Sequence, residues 1–226
     1  MARILCLETT TTNCSVALAL DGKVIALKED LSNGYSHGEL LHKYIAEVLI
    51  QGECKLGDLD AIAVSKGPGS YTGLRIGVSS AKGLCFANDL PLIATETLKA
   101  LAQHVNLEEI TAIVPMLDAR RMEVYSAVFN ARFEKIRQTK AEIIDEQSFA
   151  EYLEQGKIVF IGNGVEKFRE ICKHPNALFI CDALPSAREM APLAERAFQA
   201  KNMEDLAYFE PYYLKDFMVT KPKQRG

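Results

Sequence analysis

The chain has 226 residues, 48% of them hydrophobic and 25% charged, with a formal net charge of −4. That is the composition of a soluble globular protein long enough for one large domain or two small ones. It argues against a membrane span, since no apolar run approaches about 18 residues, and against this chain being by itself the main binder of a nucleic acid, because such binding is driven by neutralising phosphates. The first apolar run, Arg3–Glu8, leads into TTTTN. Cys14–Leu20 and Lys23–Asp30 alternate on either side of Asp21 and Gly22, a pair that supplies the positive φ of a tight hairpin. The period then changes. Leu40, Leu41, Tyr44, Ile45, Val48 and Leu49 form one helical stripe that Gly52 ends, and Ser36 with Glu39 has the spacing of a capping box. Residues 60–65 read as a strand, 72–88 as a helix, 91–95 as extended and 97–105 as helix again.

After Asn106 the order starts over. Residues 111–118 read as a strand, 123–129 and 132–138 as a hairpin, 140–145 as an added strand and 147–155 as a short helix. A strand at 157–161 ends in GNG, and a helix at 165–173, a strand at 178–181 and a helix at 187–201 follow. Both halves therefore run strand, strand, strand, helix, strand, helix, without a repeat at the level of residues. Three antiparallel strands followed by alternating helices and strands predict a mixed sheet with helices on its faces. The expected architecture is α/β: two such lobes around a cleft, at 1–106 and 107–216, with a flexible tail at 217–226.

The stretch SKGPGSYTGLRIGVSSAKGL at 65–84 is the richest in glycine. A phosphate loop of the GxxxxGK type needs a Gly-Lys step, and here Gly73 is followed by Leu74 and Arg75. The dinucleotide pattern GxGxxG also misses, because the third glycine comes one residue late. What remains is a Gly67-Pro68-Gly69 turn and a helix capped by Ser70 or Thr72. Gly73, Gly77 and Ala81 are four apart and share one side of that helix, with Ser80 adjoining. A glycine costs about 1 kcal/mol inside a helix, so the stripe calls for close packing by another backbone. Spacing alone leaves open whether that backbone is the chain's own or a partner's.

Other candidates for chemistry are sparse. The six cysteines contain no CxxC pair and mostly lie in apolar runs, so they read as buried free thiols of a reducing cytoplasm. The opening MARILCLETT shows no signal-peptide pattern. His37 and His42 are five apart, point about 140° from each other on a helix, and read as surface residues near a helix start. Glu8 and Asp118 end matching strands, an arrangement that suits a magnesium ion in a cleft as well as two ordinary turns. Arg120 and Arg121 beside Asp118 suit either an internal ion pair or a contact to an anionic ligand. Gly162 and Gly164 in IGNGV are a weak nucleotide signal. No serine or cysteine has a base placed to make it a nucleophile.

Together these segments resemble the bacterial TsaB family, also called YeaZ. GPGSYTGLRIGVSSAKGL resembles the family's GPGS(F/Y)TGLRIG signature, and ILCLETTTTNCSVAL, LDARRMEVYSAVF and EPYYLKD fit in order, so the likeness spans nearly the whole chain. Glu8 stands where many members carry aspartate, which weakens a metal role, and Met122 where glycine is common. The resemblance implies two ribonuclease H-like lobes of the actin, sugar kinase and Hsp70 (ASKHA) class. It implies work in the cytoplasm on N6-threonylcarbamoyladenosine, the modified adenosine beside the anticodon of tRNAs that read codons beginning with A. It further implies a non-catalytic scaffold for the related, larger TsaD, which carries the metal and the transferase activity. TsaE, an ATPase, joins the assembly, and tRNA is reached only through the complex. No cofactor is implied for this chain, and ATP or ADP is a candidate only at the joint with the partner. The larger relative binds metal through an HxxxH helix, where this chain has HGELLH. The competing expectation is a small ATPase or kinase of the same fold, using Glu8, Asp118, Gly162 and Gly164 on a nucleotide.

In the family, the helix after the GPGS turn and the helix before it pair with TsaD, or with a second copy when the chain is alone. The resemblance thus implies an interface of Leu41, Tyr44, Ile45, Val48, Gly73, Arg75, Ile76, Gly77, Ser80 and Ala81. On that reading Gly77→Leu spares the fold and abolishes partner binding.

Overall fold

The structure is a computed structural model that describes residues 1–31 and 37–215. Its first sheet has the order β3-β2-β1-β4-β5. The central strand β1 (Arg3–Glu8) pairs antiparallel with β2 (Cys14–Leu20) and parallel with β4 (Ala61–Ser65), while β3 (Lys23–Asp30) and β5 (Leu92–Thr95) close the edges. The β2–β3 turn uses Asp21 at φ 49° and Gly22 at φ 74°, as its sequence requires. β1, β2 and β4 are buried almost throughout, the mark of strands covered on both faces.

The two covers follow from the alternation of side chains along the strands. Leu5 and Leu7 face α1 (His37–Gln51) and α2 (Tyr71–Asn88), meeting Leu41, Ile45 and Val48 of the first and Val78, Ala81 and Cys85 of the second. Ile4 and Cys6 face the other way, onto Ala187, Met190, Ala191 and Ala194 of α6 (Ala187–Gln199). The capping box expected at Ser36 lies outside the described residues. Ser70 caps α2, accepting from Gly73 N at 3.3 Å, and Asp89 ends it in the left-handed region.

The second sheet repeats the plan, with order β10-β9-β6-β7-β8. Central β6 (Ala112–Asp118) lies antiparallel to β7 (Glu123–Asn130) and parallel to β9 (Ile158–Gly162), flanked by β8 (Lys135–Ile143) and β10 (Ala177–Cys181). β8 is one nine-residue strand where the sequence suggested two pieces, its pairing with β7 absorbing two register shifts. One face carries α4 (Ala150–Leu153) and α5 (Glu166–Ile171) over an aromatic cluster of Phe149, Phe160, Phe168 and Phe179.

The other face is covered by α3 (Thr97–Ala102), whose Leu98 and Leu101 meet Ile113, Leu117, Phe129 and Ile161. The closing helices are thus exchanged: α3 follows the first sheet and covers the second, and α6 follows the second and covers the first. Residues 204–212 also return to the first lobe, with Glu204 N bonded to Leu92 O at 2.8 Å and Tyr212 N to Lys66 O at 2.7 Å. Packing therefore crosses the division expected at residue 106.

Candidate functional site

The turn between β4 and α2 and the loop between β1 and β2 meet at the ends of the central strands. The close approach there is extreme. A Cβ on Gly73 would lie 2.0 Å from Thr9 O, one on Gly69 2.5 Å from Thr10 O, and one on Gly77 2.3 Å from Thr9 Oγ1. Thr9 Oγ1 donates to Gly73 O at 2.7 Å and Ser70 N to Thr10 O at 2.7 Å. The small-residue stripe therefore holds the chain's own β1–β2 loop. Gly73, Gly77 and Ala81 are buried, which corrects the expectation that they face a partner. Leu41, Ile45 and Val48 lie in the core beneath and are corrected with them. Of the expected interface residues, Arg75 is exposed and Tyr44, Ile76 and Ser80 are partly so.

The outward side of the two helices holds residues that the stripe did not indicate. Ser80 Oγ and His42 Nε2 lie 3.3 Å apart and tie α2 to α1. Phe86 is 83% exposed and Ile50 78%. Gly83 is exposed, and a Cβ there would meet nothing within 4 Å. Its cost to the helix, about 1 kcal/mol against alanine, has no return inside the chain. The signal was available in the sequence, since Gly83 falls outside the Gly73-Gly77-Ala81 row.

Glu8 is fully buried. Its Oε1 accepts from Thr10 N at 2.7 Å and from Thr10 Oγ1 at 2.5 Å, and its Oε2 accepts from Ser65 Oγ. Burial pushes its pKa up, against the pull of the Ser65 and Thr10 hydrogen bonds. Asp118 sits in a contrasting place: exposed, paired with Lys167 Nζ, and accepting from Arg120 N at 3.0 Å. Among the described residues no three His, Cys, Asp or Glu side chains gather as a metal would need. Gly162 and Gly164 have a packing reason. Gly162 has φ 128° and its Cβ would lie 2.2 Å from Met116 O, while one on Gly164 would lie 3.0 Å from Leu117 C. The turn between them is pinned by Asn163 Oδ1, which accepts from Asp118 N at 3.0 Å.

His37 departs from its expected place on the surface. It is buried, and Nε2 donates to Thr11 O at 2.7 Å, so the helix start is tied to the same β1–β2 loop. Burial lowers its pKa. Cys6, Cys14 and Cys85 are buried thiols pushed up to about 12 by desolvation, inert as nucleophiles. No helix of the described residues is long and apolar enough to cross a membrane.

A duplicated five-stranded mixed sheet, with the closing helices exchanged and the loop after β1 sealed by a glycine turn, defines a two-lobed protein of the actin, sugar kinase and Hsp70 class. A family model described as "TsaD: tRNA N6-adenosine threonylcarbamoyltransferase" matches residues 33–223. The tRNA threonylcarbamoyladenosine biosynthesis protein TsaB of Escherichia coli is 32% identical over 97% of this chain and 97% of its own length. The TsaB of Haemophilus influenzae is 32% identical over 96% and 95%. The solved structure of YeaZ from Pseudomonas aeruginosa superposes with a TM-score of 0.81 at 27% identity, covering 95% of this chain and 100% of that one. The chain belongs to the TsaB (YeaZ) family, which is related to TsaD.

Proposed function

We propose that this chain is the non-catalytic, activating subunit for a TsaD-type threonylcarbamoyltransferase in the formation of N6-threonylcarbamoyladenosine on tRNA. The carrying observation is the sealed β1–β2 loop. In this chain that loop packs against Gly69, Gly73 and Gly77 of its own α2 turn. Its acid, Glu8, is consumed by Thr10 and Ser65. The other nucleotide candidates are engaged as well, Asp118 with Lys167 and Gly162 and Gly164 in close packing against β6, which supports a scaffold rather than a small ATPase or kinase. The names of the TsaB relatives support the pathway.

The docking surface of the proposal is the outward side of α1 and α2. Tyr44, Arg75, Ile76 and Ser80 lie there, joined by His42, Gly83 and Phe86, and Gly83 lets the partner's backbone come close. In isolation the same face serves a homodimer. TsaE joins the assembly, any ATP or ADP is held at the joint between subunits, and the complex works in the cytoplasm. The test is depletion of the protein followed by mass spectrometry of tRNA nucleosides. Loss of the modified adenosine is expected, and unchanged levels overturn the proposal. ATP turnover by the pure chain with magnesium, without partner, overturns the non-catalytic part.

A further inference from the structure

The chain crosses between the two sheets three times. The first crossing runs from β5 into α3 and the second from β10 into α6. The third is the strap of residues 204–215, which follows α6, lies along the first lobe and ends on the second. Two crossings are enough to join lobes through a hinge, and relative motion is the ordinary condition of lobes joined in that way. The third crossing holds EPYYLKD, a segment to which the functional reading gives no task.

The strap is laid against the hinge. Lys66 N donates to Thr95 O at 2.8 Å and Thr97 N to Gly67 O at 3.2 Å, so the first crossing is tied to the turn after β4. The strap joins the same turn: Tyr212 N donates to Lys66 O at 2.7 Å, and a Cβ on Gly67, at φ 114°, would lie 2.7 Å from Tyr212 O. Gly67 therefore makes room for the strap, whereas Gly69, Gly73 and Gly77 make room for the β1–β2 loop. On α2, Lys82 Nζ donates to Ala207 O at 3.2 Å and to Phe209 O at 3.0 Å, and Phe209 is buried in the first core. Those two residues suffice to seat the strap on the first lobe, yet the chain goes on. Tyr213 packs on Tyr71 with ring centroids 5.0 Å apart and planes tilted by 35°. Lys215 then pairs with Glu123, at the start of β7 in the second lobe, 6.0 Å from the centroid of the Tyr125 ring. Lys135 of β8 makes a further tie to the hinge, pairing with Glu96 between β5 and α3.

We propose that residues 210–215 are a latch across the hinge, holding the two lobes at one angle through Tyr213 on Tyr71 and Lys215 on Glu123. Its grip is graded along the chain. Phe209 is 8% exposed, Tyr213 is 39% exposed, and the Lys215 side chain is 39% exposed where it meets Glu123. A surface ion pair shifts an equilibrium by up to about fivefold, and an aromatic pair by roughly two- to twelvefold. The second-lobe end therefore releases while the Phe209 end stays seated, which is the behaviour of a latch. Arg75, over the Tyr71 ring at 5.4 Å, joins the latch to the docking face of α2. That link rests on the functional reading above; the latch itself is a property of the chain alone.

The experiment measures the distance between lobes in the full chain by pulsed electron paramagnetic resonance. Spin labels are placed on K23C in β3 and Q138C in β8, both exposed positions, in a C181S background that leaves only buried native thiols. The parent is expected to give one narrow distance. K215E sets two carboxylates against each other and is expected to raise a second, displaced population about fivefold, as is E123K. K215E/E123K re-forms the pair with exchanged signs and is expected to restore the narrow distance, a rescue that general damage to the fold would not show. Tyr213→Ala is expected to raise the second population roughly two- to twelvefold, and Tyr213→Phe to leave it as in the parent. One narrow, unchanged distance in K215E combined with Tyr213→Ala overturns the latch, as does a broadening that K215E/E123K fails to reverse. The depletion test is independent of this outcome: normal levels of the modified adenosine would remove the scaffold reading and leave the latch standing.

Discussion

Replacing Gly77 by alanine adds one methyl group where the structure leaves no room, and the sign of the outcome tests how α2 is oriented. The new Cβ would lie 2.3 Å from Thr9 Oγ1 and 3.5 Å from Thr9 Cβ. The hydroxyl must move, and its 2.7 Å bond to Gly73 O is then broken. Overpacking a tight site costs about 1–3 kcal/mol and the missing buried hydrogen bond about 1 kcal/mol. Alanine returns about 1 kcal/mol of helix propensity. The net is a destabilisation of about 1–3 kcal/mol, measured as a lower urea midpoint with unchanged slope. In a Thr9→Ala background the clashing oxygen is gone, so Gly77→Ala should become neutral or stabilising, with a coupling energy above about 1 kcal/mol. Gly77→Leu should fail to fold, the reverse of what a partner-facing stripe implies. A Gly77→Ala protein at least as stable as the parent, with no coupling to Thr9, would refute this orientation of the helix.

Gly83 gives the complementary outcome. Gly83→Ala should stabilise the isolated chain by about 1 kcal/mol, while Gly83→Leu should fold normally and lose partner affinity by calorimetry; normal affinity for the leucine variant would remove Gly83 from the interface. Gly162→Ala should cost about 3 kcal/mol or more, because a methyl group would meet Met116 O at 2.2 Å and the residue has φ 128°; a thermal melt matching the parent would contradict that packing. Glu8 has a folded pKa raised above its ordinary 4.5. The folded state therefore holds the proton more tightly than the unfolded one, and stability from this group, complete below about pH 4.5, falls as pH rises through the folded pKa. Glu8→Gln accepts the same Thr10 bonds without a charge, so its stability should exceed the parent's more at pH 8 than at pH 5. An unchanged difference across that range would show that Glu8 does not titrate there.

Much of the fold was legible because its signals are local. The Asp21-Gly22 hairpin, the stripe of Leu41, Ile45 and Val48 and the doubled element order follow from turn chemistry and from periods of two and 3.6. The failure of the glycine stretch as a phosphate loop was legible too, since it depends on residue types at fixed spacing. The splitting of β8 into two predicted pieces shows the limit: cross-strand pairing with β7 carries the chain through the polar residues between.

What the sequence by itself determined was the presence of a close-packed small-residue face on α2 and the family whose signature contains it. Which way that face points was decided by tertiary structure. Gly73 and Gly77 have the same spacing whether they hold Thr9 of their own chain or a partner's helix, and only the placement of the β1–β2 loop selects the first. The exchange of α3 and α6 and the burial of Glu8 are of the same kind. Each arises from contacts between residues far apart in the chain, such as Ser65 with Glu8 and Met190 with Ile4, which no local period encodes.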